Sequence, residues 1–260
     1  MQSSSNRPLA LVTGASSGIG AALARELARH GHDLVLSARR REPMETLAAE
    51  LRRFGAEVRI VPADLAAPGG AAALVAKLGE TAVDVLINNA GLGANGPFAR
   101  IAAARHDEIM QVNIVALTEL TQALLPGMLA RRRGTIVLVS STASFLPCPN
   151  MAVYAASKAY IRHLGEALAQ ELKGTGVAVN VLCPGATATE FFAIAGGVPT
   201  GLQKNRMMSA DKVARIGYAG LARGARVTVA GWINRILAFV ASHGPHAVTL
   251  PLAQRTLAQD

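Results

Sequence analysis

Cysteine is scarce in this chain of 260 residues: Cys148 and Cys183 stand far apart and in no metal-ligand spacing. That excludes a disulfide framework and a cysteine-built zinc site, and it fits a reducing compartment. The six histidines, at 30, 32, 106, 163, 243 and 246, show no His-x-x-x-His or Cys/His grouping, so no metal is expected. Aromatics are 4% of residues and do not interleave with basic clusters such as Arg131-Arg132-Arg133, which argues against a nucleic-acid stacking platform. No apolar run of signal-peptide length precedes Leu9, and no segment offers the roughly 20 uninterrupted apolar residues of a membrane span. A soluble cytoplasmic protein is the expectation.

Acidic residues are the other shortage. There are 17 Asp and Glu against 26 Lys and Arg, a net charge of +9. Residues 201–260 hold eight of the cations (204, 206, 212, 215, 223, 226, 235 and 255) against Asp211 and Asp260. Such a surplus suits an anionic partner or membrane surface, or a solvated arginine-rich exterior.

What the chain does have is 51% apolar residues, enough for one continuous α/β domain with a sizeable core. Short β-branched or leucine-rich runs alternate with longer segments of helical period, the pattern of a doubly wound, mostly parallel seven-stranded sheet with helices on both faces. Strands are predicted near 9–13, 33–37, 57–61, 84–88, 134–140, 177–183 and 226–230. Helices are predicted near 18–30, 42–54, 69–79, 103–131, 151–173 and 209–222. Residues 1–7 read as a flexible N-terminus, 8–230 as a dinucleotide-binding catalytic domain and 231–260 as a helical extension of it. In the extension, Trp232, Ile233, Ile236, Leu237 and Val240 recur on one helical face, and a second helix is predicted near 248–257. The stripe reads as packing on the core or a subunit interface, with membrane-surface contact or a substrate lid as the alternatives.

The first strand runs into Thr13-Gly14-Ala15-Ser16-Ser17-Gly18-Ile19-Gly20. In such a turn, glycines let backbone N–H groups and a helix N-terminus approach a pyrophosphate that side chains would keep away. At the end of the second strand, where an acid would hold the ribose hydroxyls of NAD, stands Ala38, followed by Arg39. Arg39 is placed to pair with a 2′-phosphate, which favours NADP(H) over NAD(H); Arg40 and Arg41 read as the start of a solvated helix. The fourth strand ends in Asn88-Asn89-Ala90-Gly91, with a structural role for Asn88 and cofactor contact for Asn89, Ala90 and Gly91. Ser140-Ser141 closes the fifth strand, and Tyr154 and Lys158 share a face of the next helix. A phenol titrating near about 10 becomes a workable acid/base when an ammonium and an oxidised nicotinamide favour its ionised form.

With these motifs the sequence resembles the short-chain dehydrogenase/reductase family over roughly residues 8–230, in particular its short, single-domain members. The resemblance implies a catalytic set of Asn113, Ser141, Tyr154 and Lys158. Tyr154 is the proton donor to the carbonyl and Ser141 its orienting partner. Lys158 holds the nicotinamide ribose and lowers the tyrosine pKa, and Asn113 holds a relay water. It assigns Asp64 and Leu65 to the adenine edge, and Pro184, Gly185, Thr187 and Thr189 to the nicotinamide carboxamide side. It also implies homo-oligomers through the helices near 103–131 and 151–173. Two features depart from the family pattern: Ser17 stands before Gly18 where many NADP-specific members carry a cation, and the tail beyond 230 replaces a short ending. The tail makes a dimer a better expectation than a tetramer.

Phe145, Leu146 and Met151 after the fifth strand, with Phe191, Phe192 and Ile194 in the loop that follows the sixth, imply an apolar pocket. The expected reaction is hydride transfer between NADP(H) and a hydrophobic ketone, aldehyde or acyl-type carbonyl. The competing reading is an NADP(H)-binding sensor or scaffold acting through its basic tail on a partner or membrane surface.

Overall fold

In the computed structural model, residues 7–197 and 207–245, with 247, 249 and 251, are described. Most of the tail helix predicted near 248–257, the cations at 204, 206 and 255, and residues 1–6 lie outside them. Arg7 is anchored rather than free, its guanidinium 3.4 Å from the Asp33 carboxylate.

Among the described residues nine strands are present: β1 (Leu9–Thr13), β2 (Asp33–Ser37), β3 (Val58–Ile60), β4 (Val85–Asn88), β5 (Gly134–Val139), β6 (Val177–Cys183), β7 (Thr187–Ala188), β8 (Met208–Ser209) and β9 (Val227–Val229). Seven form one parallel sheet in the order β3-β2-β1-β4-β5-β6-β9, while β7 and β8 pair separately. Register is continuous across it, Ala10 pairing with Leu34 on one side and Val85 on the other. A parallel sheet covered on both faces needs strands that are apolar throughout, which is why these runs stand out as blocks and not as alternations.

The helices among the described residues are α1 (Gly18–Arg29), α2 (Arg41–Arg52), α3 (Gly70–Leu78), α4 (Ala103–Met110), α5 (Leu117–Ala130), α6 (Ala152–Glu171), the short α7 (Phe191–Ile194), α8 (Ala210–Ala222) and α9 (Trp232–His243). One core packs α1, α2 and α8 against the sheet through residues such as Leu27, Leu47 and Val213. The other packs α3, α4, α5 and α6 through Leu74, Ile109, Leu120 and Ile161. Strand order reverses between β1 and β4, the switch point where open α/β sheets leave a crevice at their carboxyl ends.

The single helix predicted over 103–131 is interrupted. Residues Gln111–Ala116 form a π-helical turn between α4 and α5, and the wider i→i+5 ring shifts the side chains that follow relative to the sheet. The whole run Ala103–Ala130 is long and apolar enough, by length and composition, to cross a membrane. Ile109, Leu117, Leu120 and Met128 are among its buried residues and pack into the core.

Candidate active site

A cleft of about 710 Å³ opens at the carboxyl ends of the strands. Its floor is built where β1 and β4 end together. The Thr13 hydroxyl donates to the Ile87 carbonyl (3.2 Å) and accepts from the amides of Asn89 (3.0 Å) and Ala90 (3.1 Å). The Asn89 side-chain amide donates to the carbonyls of Thr13 (2.9 Å) and Gly14 (3.2 Å), so it braces the glycine turn from behind while its residue lines the cleft. Gly14 turns at φ +64°, and a Cβ on Gly20 would stand 2.3 Å from the Gly14 carbonyl oxygen, so the turn tolerates no side chain there. The first turn of α1 carries no acid, and its leading amides lack intrahelical acceptors. Ser16, Ser17, Gly18 and Ile19 face the cleft, which makes this end of the helix a fit for a pyrophosphate.

On the adenosine side the wall is Ala38, Arg39, Arg40, Asp64 and Leu65. Asp64 accepts the Ala66 amide at 3.0 Å, which fixes its loop. Arg39 is exposed and has no ion-pair partner among the described residues. The reading of Arg40 as a merely solvated residue is corrected: it reaches across the cleft mouth to Glu190 at 2.6 Å and touches Ser16 Oγ at 3.5 Å. That hydrogen bond, then one from Ser17, holds the Glu190 carboxyl below the usual carboxylate range. Arg41 instead pairs along its own helix with Glu45 at 2.7 Å.

The proposed catalytic side chains converge on the same cleft. Ser141 lies two residues past β5 as the N-cap of a 3₁₀ turn, Thr142–Phe145, and its Oγ accepts the Ala143 amide at 3.1 Å. This leaves its O–H free for the Tyr154 hydroxyl, whose pKa Ser141 acts to lower. Ser140 points the other way and donates to the Lys158 carbonyl at 2.7 Å, tying β5 to α6. Lys158 is buried, its Nζ 5.8 Å from the centroid of the Tyr154 ring, and donates to the Val139 carbonyl at 2.9 Å. Burial pushes the lysine down to about 8.

Burial pushes Tyr154 up to about 12, against a smaller opposing effect from the Ser141 hydrogen bond. Taking the phenol out of water disfavours its charged form. Asn113 sits inside the π-helical turn, fully buried. Its Oδ1 accepts the Leu92 amide (2.8 Å), and its Nδ2 donates to the Leu92 carbonyl (2.9 Å) and to Ser157 Oγ (2.8 Å). Both amide hydrogens are thereby engaged, so the side chain has none left to donate to a relay water.

Beyond Tyr154 the cleft is apolar. Leu146, Cys148, Met151, Phe191, Phe192 and Ile194 line it, with the Phe191 ring 5.2 Å from that of Tyr154. Phe145 does not line it: its ring lies 4.5 Å from the Arg162 guanidinium on α6. The 3₁₀ turn rotates Phe145 away from Tyr154, a direction invisible in the residue order. Pro184, Gly185, Thr187 and Thr189 form the opposite lip. Thr187 Oγ1 donates to the Gly185 carbonyl at 2.9 Å, and Thr189 Oγ1 accepts the Phe191 amide at 3.3 Å to start α7.

The far wall comes from the tail, for which the sequence reading prefers packing on the core or a subunit interface and gives a substrate lid only as an alternative. Asn234, Leu237, Ala238, Val240 and Ala241 of α9 line the cavity. The recurrence of small residues at 238 and 241, opposite Trp232 and Ile236, is the signal that would have found it.

The model of the short chain dehydrogenase family matches residues 8–195. The chain belongs to this family. Over 79% of this short-chain dehydrogenase and 69% of the relative, it is 35% identical to the ketoacyl reductase HetN of Nostoc sp.. A short-chain dehydrogenase from Sphingobium yanoikuyae, solved with NADPH, is 37% identical with a TM-score of 0.83 over 89% of this chain and 91% of that one. The bulky-bulky ketone specific alcohol dehydrogenase of Comamonas testosteroni is 31% identical, with a TM-score of 0.78 over 94% and 97%. The protein is thus an oxidoreductase of the CH–OH/C=O class.

Proposed function

We propose that this short-chain dehydrogenase reduces an apolar ketone, aldehyde or acyl-type carbonyl with NADPH in preference to NADH. The observation that carries the reading is the convergence of Tyr154, Ser141 and Lys158 on an apolar cavity that continues into the glycine turn and Arg39. The Sphingobium relative's NADPH and the Comamonas relative's bulky ketones support the same reading.

NADPH, when bound, supplies the hydride. The backbone of Gly18, Ile19 and Gly20 and the side chains of Ser16 and Ser17 would hold its phosphates, Arg39 the 2′-phosphate, and Lys158 the ribose beside the nicotinamide. Ser141 fixes the carbonyl oxygen with a hydrogen bond. Tyr154, kept as a neutral phenol by burial, delivers its proton to that oxygen as alkoxide character develops. Leu146, Met151, Phe191 and Ile194 give the substrate side an apolar lining. We also infer a cytoplasmic homodimer, which light scattering of the purified protein checks.

The test is NADPH consumption over a panel of ketones by wild type and Tyr154→Phe. Loss of a positioned proton donor lowers turnover by about 10²–10⁴-fold, while NADPH binding stays intact. Equal rates for both proteins, or faster turnover of polar sugars than of apolar ketones, would overturn the reading.

A further inference from the structure

Helix α9 is apolar on two opposite sides. Its inner side, Asn234, Leu237, Ala238 and Ala241, walls the cavity. Its outer side carries Trp232, Ile236 and Phe239, exposed to 70%, 54% and 65%. Leu237 and Val240 belong to both, since each is 49% exposed and each lines the cavity. The rim of the cavity therefore runs without a break onto the bare face. A broad apolar face left bare on a surface helix calls for cover, and the described residues cover only the inner side.

Charge decides what fits the outer side. Arg235 projects from α9 itself, exposed, with its Nε on the Val229 carbonyl at 3.4 Å. From Lys212 to Gln259 the sequence holds no Asp or Glu, while Lys212, Arg215, Arg223, Arg226, Arg235 and Arg255 are all cationic. A second copy docking through this face across a two-fold axis would set Arg235 toward its own symmetry mate with no acid on α9 to match it. An anionic lipid surface is complementary to it, and Trp and Phe beside Arg on a short helix is the composition of segments that lie in the headgroup region.

We propose that α9 docks in the plane of an anionic bilayer, with Trp232, Ile236 and Phe239 at the acyl boundary and Arg235 among the headgroups, so that the cavity rim opens at the lipid surface. Entry of apolar carbonyl compounds from the bilayer rests on the reductase reading; the docking does not.

The test is flotation of the full-length protein with vesicles of phosphatidylcholine alone, or of phosphatidylcholine and phosphatidylglycerol in equal amounts. Wild type is expected to float only with the anionic vesicles, and less so at high salt. Trp232→Ser/Phe239→Ser, neither residue lining the cavity, partitions about tenfold or more weakly, because two large apolar side chains are lost from the contact. Its NADPH binding and ketone reduction in solution are unchanged. Trp232 is the sole tryptophan, so a blue shift of wild-type emission on anionic vesicles reads insertion without any variant. The proposal is overturned if wild type ignores both vesicles with its emission unshifted, or floats equally with both. It is also overturned if the double variant only turns a dimer into a monomer. None of these outcomes depends on NADPH consumption, so failure of the reductase reading shows separately.

Discussion

Replacing Arg39 by alanine isolates the cofactor-selecting charge. Arg39 lines the cleft wall beside Ala38, exposed and with no ion-pair partner among the described residues, so its removal disturbs no internal contact. A hydrogen bond to a charged group contributes about 1.5–3 kcal/mol net. Because the guanidinium faces solvent and is screened, the lower end applies, about 1.5 kcal/mol, or roughly tenfold in affinity. NADPH should bind Arg39→Ala about tenfold more weakly, with NADH affinity and melting temperature unchanged. Arg40 is the internal comparator. Its charge is matched by Glu190 at 2.6 Å, so Arg40→Ala should cost NADPH less than Arg39→Ala does. Glu190→Gln, which leaves Arg40 unmatched, should tighten NADPH and not NADH. Fluorescence titration of the four proteins with both cofactors reads all of this. Tighter NADH than NADPH binding by wild type, or equal losses of both cofactors in Arg39→Ala, would refute the assignment of the 2′-phosphate to this wall.

The pH dependence should differ between directions. With Tyr154 raised to about 12, the phenol stays protonated through neutrality. Proton donation in ketone reduction is then insensitive to pH there, while alcohol oxidation, which needs the ionised form, accelerates as pH rises. Initial rates in both directions against pH check this, and an oxidation rate already level at neutral pH would contradict the burial argument. Asn113→Ala strips three buried hydrogen bonds from Leu92 and Ser157. At about 1–3 kcal/mol for each buried group left unpaired, the melting temperature falls by several degrees or more. A melting temperature equal to wild type would show that those bonds are replaced.

Sequence local to one turn proved readable where the physics is itself local. The glycine turn is legible because only residues without a Cβ permit Gly20 to lie against the Gly14 carbonyl. The strands are legible because a parallel sheet buried on both faces leaves uninterrupted apolar blocks. Asn88 could be read as structural, and it does bridge β4 to Thr121 at 3.0 Å.

What depends on orientation or on distant partners was not readable. Arg40 meets Glu190 across 150 positions of chain, and no pattern near either residue announces the pairing. Phe145 follows the correct strand but turns toward Arg162. The stripe of α9 marked a helix correctly, yet its Trp232 side faces outward and its small residues wall the cavity, an orientation in which the Asn234 side chain lies against Gly185. The Tyr154 pKa is set by how much solvent the assembled elements exclude. Residue type and spacing thus determined the strands, the turn and the chemical groups available. Only the packed chain decided which way each group points and how much water it sees, because those quantities arise from neighbours that sequence order does not place together.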